Sequence, residues 1–155
     1  SQEEALWAAV LADFKAYYQD HSLIETKPYY GVVELLAALK KKGFKLALVS
    51  NKGDEAVQEL VTRFFPNYFT IAVGERQGMQ RKPAPDAIWH ALEEMQSAKE
   101  ESIYVGDSEV DNLTAKNAGL FSVSCLWGFR DKDFLVEQGA SCFIEKPLEL
   151  LDLLQ

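Results

Sequence analysis

Five short apolar runs, each followed by a helical pattern, constrain this chain more than any other feature. The first is Lys45-Leu46-Ala47-Leu48-Val49-Ser50, and the others fall at residues 69–73, 102–106, 122–126 and 142–144. Behind them come helical spacings at Val57, Leu60, Val61 and Phe64, at Ile88, Ala91, Leu92 and Met95, over residues 110–118, near Phe134, and from Leu148 to Leu154. Strands that alternate with helices pair in parallel, because each helix carries the chain back to the starting edge. The pattern therefore predicts an α/β fold, a Rossmann-like parallel sheet with helices on both faces. Ligand-contacting groups then belong in the loops that follow the strands.

The first 30 residues follow a different pattern. Trp7, Val10, Leu11, Phe14, Tyr17 and Tyr18 have the spacing of an amphipathic helix over residues 5 to 19, with Ser1 and Glu4 placed as a capping box. Pro28 breaks the chain, and Val32, Leu35, Leu36 and Leu39 mark a second helix closed by Gly43. A boundary near Thr26-Lys27-Pro28 would separate residues 1–27 from a sheet-forming body at 28–155.

At 155 residues, 48% hydrophobic and 26% charged, the chain can bury one core. Its net charge of -8 argues against binding a nucleic-acid backbone, which needs clustered cations. The basic run Lys40-Lys41-Lys42 reads as a solvated helix end. Cys125 and Cys142 lack the spacing of a zinc site or a disulfide framework, which fits a reducing cytoplasm. No apolar stretch approaches the roughly 20 residues that cross a bilayer, so no membrane contact is expected. The acidic start Ser1-Gln2-Glu3-Glu4 is not a signal peptide.

Three of the loops carry unusual polar groups. Ser50-Asn51-Lys52 follows the first run, where a hydroxyl and backbone N–H groups can bind a phosphate oxygen. Arg81-Lys82-Pro83-Ala84-Pro85-Asp86 follows the second, where two prolines stiffen the backbone around the Lys82 ammonium. Gly106-Asp107-Ser108-Glu109-Val110-Asp111 follows the third, and its two carboxylates repel each other unless a cation joins them. Mg²⁺, a hard cation with oxygen ligands, is the natural candidate. Each loop also has a plainer reading: Asn51 or Asp54 as a helix cap, Lys82-Pro83 as a surface turn, and Ser108 with Asp111 as an N-terminal box.

Taken in order on successive strand ends, Ser50-Asn51, Lys82-Pro83 and Gly106-Asp107-Ser108-x-x-Asp111 resemble motifs two to four of the haloacid dehalogenase superfamily. Gly74-Glu75-Arg76, Tyr104-Val105-Gly106-Asp107 and Trp127-Gly128-Phe129-Arg130 extend the likeness to its phosphoglycolate phosphatase branch. The resemblance implies a Mg²⁺-dependent phosphomonoester hydrolase acting on a small phosphorylated metabolite. Ser50 and the Asn51 N–H would bind phosphate, Lys82 would neutralise the phosphoryl charge, and Asp107 and Asp111 would hold Mg²⁺, the latter directly or through water. Sugar phosphatase, pyrophosphatase and phosphomutase branches share these motifs, and a non-catalytic relative could use them to bind a phosphorylated ligand or a protein.

The family's first motif is an Asp-x-Asp after an opening strand, its first Asp the nucleophile and its second the acid and base. Asp131-Lys132-Asp133 is the only Asp-x-Asp here, and it reads as a helix cap. By the resemblance, the helix over residues 5–19 would be the end of a helical cap domain. The nucleophile strand would lie upstream of Ser1, in an N-terminal segment of the same protein. The sheet would then have a gap beside the Leu46–Val49 and Ile103–Val105 runs, and no third carboxylate would stand beside Asp107 and Asp111. Arg76 and Arg130 lie in loops that could approach the site, and Trp127 and Phe129 read as packing residues.

Overall fold

The computed structural model describes residues 7–13, 17–20, 25–128 and 130–154. Along the chain run strand β1 (Ala9–Asp13), strands β2 (Tyr17–Asp20) and β3 (Glu25–Pro28), and helix α1 (Val32–Lys41). Then β4 (Lys45–Gly53), α2 (Asp54–Phe64), β5 (Ile71–Glu75), α3 (Asp86–Met95), β6 (Ser102–Gly106) and α4 (Glu109–Ala118) alternate. The chain closes with β7 (Phe121–Cys125), α5 (Lys132–Glu137), β8 (Phe143–Ile144) and α6 (Glu149–Leu153). Six strands form one parallel sheet in the order β5-β4-β1-β6-β7-β8, while β2 and β3 make a separate antiparallel pair. All five apolar runs read from the sequence are strands, and each precedes a helix.

The expected helix over residues 5 to 19 is corrected. Residues 9–13 and 17–20 are strands, and the proposed box at Ser1 and Glu4 lies outside the described residues. Val10 pairs with Leu46 on one side and Ile103 on the other, so β1 occupies the place where a gap was expected. The reason lies in Ala9-Val10-Leu11-Ala12, an unbroken apolar run in which every residue is buried. A central parallel strand needs apolar groups on both faces, and a run this short cannot be told from a buried helical turn by spacing alone.

Alternation along β1 divides the core. Val10 and Ala12 pack with Leu35, Leu36, Leu46 and Ile103 beneath α1, while Ala9 and Leu11 pack with Ala47, Val49, Ile88 and Tyr104 beneath α3. From β1 the sheet grows outward through β4 to β5, and then resumes on the other side at β6. The strand order therefore reverses at β1, and the crevice at such a reversal is where open α/β sheets place ligands.

Leu11 is fully buried in the central strand, so Leu11→Ala should lower stability by about 2–5 kcal/mol. Val136→Ala, at a side chain half exposed on α5, should stay within about 0.5 kcal/mol. Urea unfolding of both variants checks this; equal small losses would mean that residues 9–13 are not in the sheet.

Candidate active site

The acidic loop after β6 is shaped by a glycine and a cap. Ser108 is the N-cap of α4, and its hydroxyl accepts the Asp111 N–H at 3.2 Å. The Asp111 Oδ2 in turn accepts the Asp107 N–H at 3.1 Å and the Ser108 hydroxyl at 3.0 Å. A Cβ on Gly106 would stand 2.2 Å from the Asp111 Cβ, so only a glycine lets this carboxylate fold back against the strand end. The plain reading of Ser108 as a helix cap is correct, and the same hydrogen bonds aim Asp111 at the sheet edge.

Its other oxygen, Oδ1, accepts the Lys82 ammonium at 2.7 Å and the Tyr104 hydroxyl at 3.0 Å. Lys82 reaches this point from the loop after β5, where its peptide bond to Pro83 is cis. The Asn51 side chain clamps its backbone, accepting the Lys82 N–H at 3.0 Å and donating to the Lys82 carbonyl at 3.4 Å. Asn117 donates to the Pro83 carbonyl at 2.9 Å and pins the same loop to α4. The ammonium also donates to the Tyr104 hydroxyl at 3.2 Å and is ion-paired with Asp13 at the end of β1. Lys82 and Asp111 side chains are each 5% exposed, whereas that of Asp13 is 26% exposed and forms the open side of the cluster.

Burial alone would pull the Lys82 ammonium down, but Asp13 and then Asp111 outweigh it and hold it above the ordinary lysine value. Burial pushes the Asp13 carboxyl up to about 7, against the pull of Lys82 and with added repulsion from Asp111 and Asp107. Burial, reinforced by Asp111 and Asp13, keeps the Tyr104 phenol protonated far above its usual range.

Of the sites read from the sequence, Asn51, Lys82 and Asp111 are joined by hydrogen bonds, and Asp107 joins them through its backbone. Ser50 sits beside Asn51 in β4, with its hydroxyl accepting the Lys52 N–H at 3.1 Å. Neither Asn51 nor Asp54 caps α2 through its side chain: the N-cap is Gly53, and Asp54 accepts the Gly74 N–H at 2.9 Å. Arg76 pairs with Asp54 at 3.1 Å and Arg130 with Glu109 at 3.1 Å. Asp131 caps α5, accepting the Phe134 N–H at 2.9 Å. Trp127 packs against the core, and Phe129 lies outside the described residues.

Two members of the cluster did not emerge from the sequence. Asp13 brings a further carboxylate to the Lys82–Asp111 pair, where the sequence reading placed none. Its signal was an acid directly after an apolar run, the same signal that marks Asp107. Tyr104 was read only within the stretch Tyr104-Val105-Gly106-Asp107 and given no role, because an aromatic residue inside a strand reads as core.

The donor chemistry can be tested against Mg²⁺. A carboxylate offers about four lone-pair directions, and all four on Asp111 face protein donors. Asp111 therefore fits contact through water rather than direct ligation. Among the described residues no group of three or more His, Cys, Asp or Glu is arranged to hold a metal. Mg²⁺ keeps several waters and needs only one or two carboxylates beside a phosphate, which Asp107 and Asp13 can supply as hard oxygen donors. The Asp107 carboxylate lies against Gly128 so closely that a Cβ there would stand 2.6 Å from Oδ2.

Residues 1–125 match the model of the haloacid dehalogenase-like hydrolases. A phosphoglycolate phosphatase of Aquifex aeolicus is 35% identical over 117 residues, covering 75% of this chain and 55% of that protein. A pyrophosphatase of Halalkalibacterium halodurans is 28% identical over 145 residues, covering 93% of this chain and 67% of its own length. A crystal structure of a candidate phosphoglycolate phosphatase from Lactobacillus delbrueckii subsp. bulgaricus superposes with a TM-score of 0.83 at 40% identity, covering 88% of this chain and 57% of that one. The chain thus spans 55% to 67% of these three proteins.

Because the folded protein holds a proton on Asp13 up to about pH 7 while an unfolded aspartate releases it near 3.8, the stability it contributes is full below pH 3.8 and falls as pH rises. Above about 7 it is gone. Urea unfolding between pH 4 and 7 in metal-free buffer should show a steeper loss for the wild type than for Asp13→Asn. Parallel curves would contradict the environment assigned to Asp13.

Proposed function

The chain belongs to the haloacid dehalogenase-like hydrolase family, and from that premise we propose that it carries the catalytic core of a Mg²⁺-dependent phosphomonoester hydrolase for small phosphorylated metabolites, with phosphoglycolate the leading substrate. What supports the reading above all is the buried Lys82 ammonium, held between Asp13 and Asp111 at the point where the strand order reverses. A fixed cation there meets the charge that spreads over phosphoryl oxygens in a transition state. The Ser50 hydroxyl and the Asn51 N–H stand on the neighbouring strand end to bind another phosphate oxygen. Asp107, with Asp13, would hold Mg²⁺, and Asp111 would meet it through water. Bound Mg²⁺ supplies charge neutralisation and orientation of the phosphate.

In the first form of this reading an Asp13 oxygen attacks phosphorus, the ester P–O bond breaks, and the leaving alkoxide takes a proton from water. Water then cleaves the acyl phosphate to release inorganic phosphate and restore the carboxylate. Asp13 ends the central strand on the open side of the cluster, the place such an attack requires. A second form draws support from Lys15, which stands two residues on where the family has its acid–base Asp, and from the partial coverage of the relatives. In it the attacking carboxylate comes from an upstream Asp-x-Asp strand of a longer protein. A cytoplasmic setting completes the reading, supported by two free cysteines; no helix among the described residues is long and apolar enough to cross a membrane.

Hydrolysis of an aryl phosphate, phosphoglycolate and pyrophosphate with and without Mg²⁺ tests the proposal. Lys82→Ala and Asp107→Asn should each lower kcat by about a hundredfold or more. Loss of both activity and a hydroxylamine-sensitive phosphoprotein in Asp13→Asn would place attack on Asp13. An Asp13→Asn that stays active in the longer protein would place it upstream. Tight phosphate binding with no turnover, both in this chain and in the longer protein of the second form, would replace the enzyme reading by that of a binding protein.

A further inference from the structure

We propose that Tyr104 is a positioning residue whose hydroxyl orients the Lys82 ammonium, an inference that rests on Lys82 being the phosphoryl-binding cation. An ammonium has three N–H donors, and Lys82 has three acceptors around it: Asp111 Oδ1 at 2.7 Å, the Tyr104 hydroxyl at 3.2 Å, and Asp13. Tyr104 has a single hydroxyl hydrogen. An ionised Asp111 can only accept, so the hydrogen points at Oδ1 across 3.0 Å and a phenol lone pair is left for Lys82. The triangle Lys82–Tyr104–Asp111 is thereby closed with every donor direction fixed.

Exposure separates the three acceptors. Tyr104 is fully buried and Asp111 nearly so, while Asp13 alone is partly open. Two N–H bonds are therefore locked inside the protein, and the third is aimed at the open edge, where Asp13 and a phosphoryl oxygen would compete for it. The Tyr104 ring also packs with Ala9, Leu11 and Ile88, so the residue has a core role that its hydroxyl does not need. Removing the hydroxyl while keeping the ring separates the two roles.

The experiment compares wild type with Tyr104→Phe and Lys82→Ala, reading kcat and KM for an aryl phosphate with Mg²⁺, thermal unfolding, and the Nζ resonance of ¹⁵N-lysine-labelled protein. In the wild type the Lys82 Nζ protons should be protected from exchange and show a through-space cross-peak to the Tyr104 ring; absence of that cross-peak would overturn the proposal without any variant. Tyr104→Phe should keep KM within about threefold, lose about tenfold to a hundredfold in kcat, and lose the protected Nζ signal. A wild-type kcat with an unchanged Nζ signal in Tyr104→Phe would overturn it. If Lys82→Ala hydrolyses as fast as wild type, the parent reading of Lys82 fails, and the Nζ comparison still decides whether Tyr104 orients the ammonium.

Discussion

The structure depends on one buried ammonium. Burying an unpaired charge is costly enough that the group would neutralise or the segment would open, so Lys82 can stay 5% exposed only if its partners are in place. Those partners come from far apart in the chain: Asp13 from the end of β1, Tyr104 from β6, and Asp111 from the first turn of α4. Asn51, at the end of β4, holds the Lys82 backbone at the matching height. Four neighbouring segments of the sheet must therefore be in register before the cluster closes. The site is a consequence of strand order as much as of residue type.

This coupling explains what was readable in advance. The runs that became β4 to β8 were visible because each is short, apolar and followed by a helical pattern; Asp107 was visible because it stands directly after such a run, and Lys82 because prolines follow it in the loop after another. Asp111 was read as a metal group and, with Ser108, as part of a helix N-terminal box; its contacts show the second. The Asn51 side chain, which had no role in the sequence reading beyond a possible helix cap, fixes Lys82. Side-chain clamps between loops 30 residues apart leave no periodicity to detect.

The strand β1 was misread for a reason that extends to other chains. Val10 and Leu11 lie at positions where a helix and a doubly buried strand make the same demand, apolar groups on neighbouring positions. Context decides between them. Burying Ala9 and Leu11 on one face and Val10 and Ala12 on the other satisfies two layers of helices at once, which a surface helix could not do. With β1 read as a helix, the acid at its end received no reading at all.

The electrostatics of the cluster connect that acid to the rest. Asp13, Asp107 and Asp111, if all ionised, bring three negative charges against the one positive charge of Lys82, a formal net of -2 (-3 and +1). Burial first, and then repulsion from Asp111 and Asp107, push the Asp13 carboxyl up to about 7 against the pull of Lys82. On the reading proposed above, a divalent cation held by Asp107 and Asp13 would answer the same repulsion.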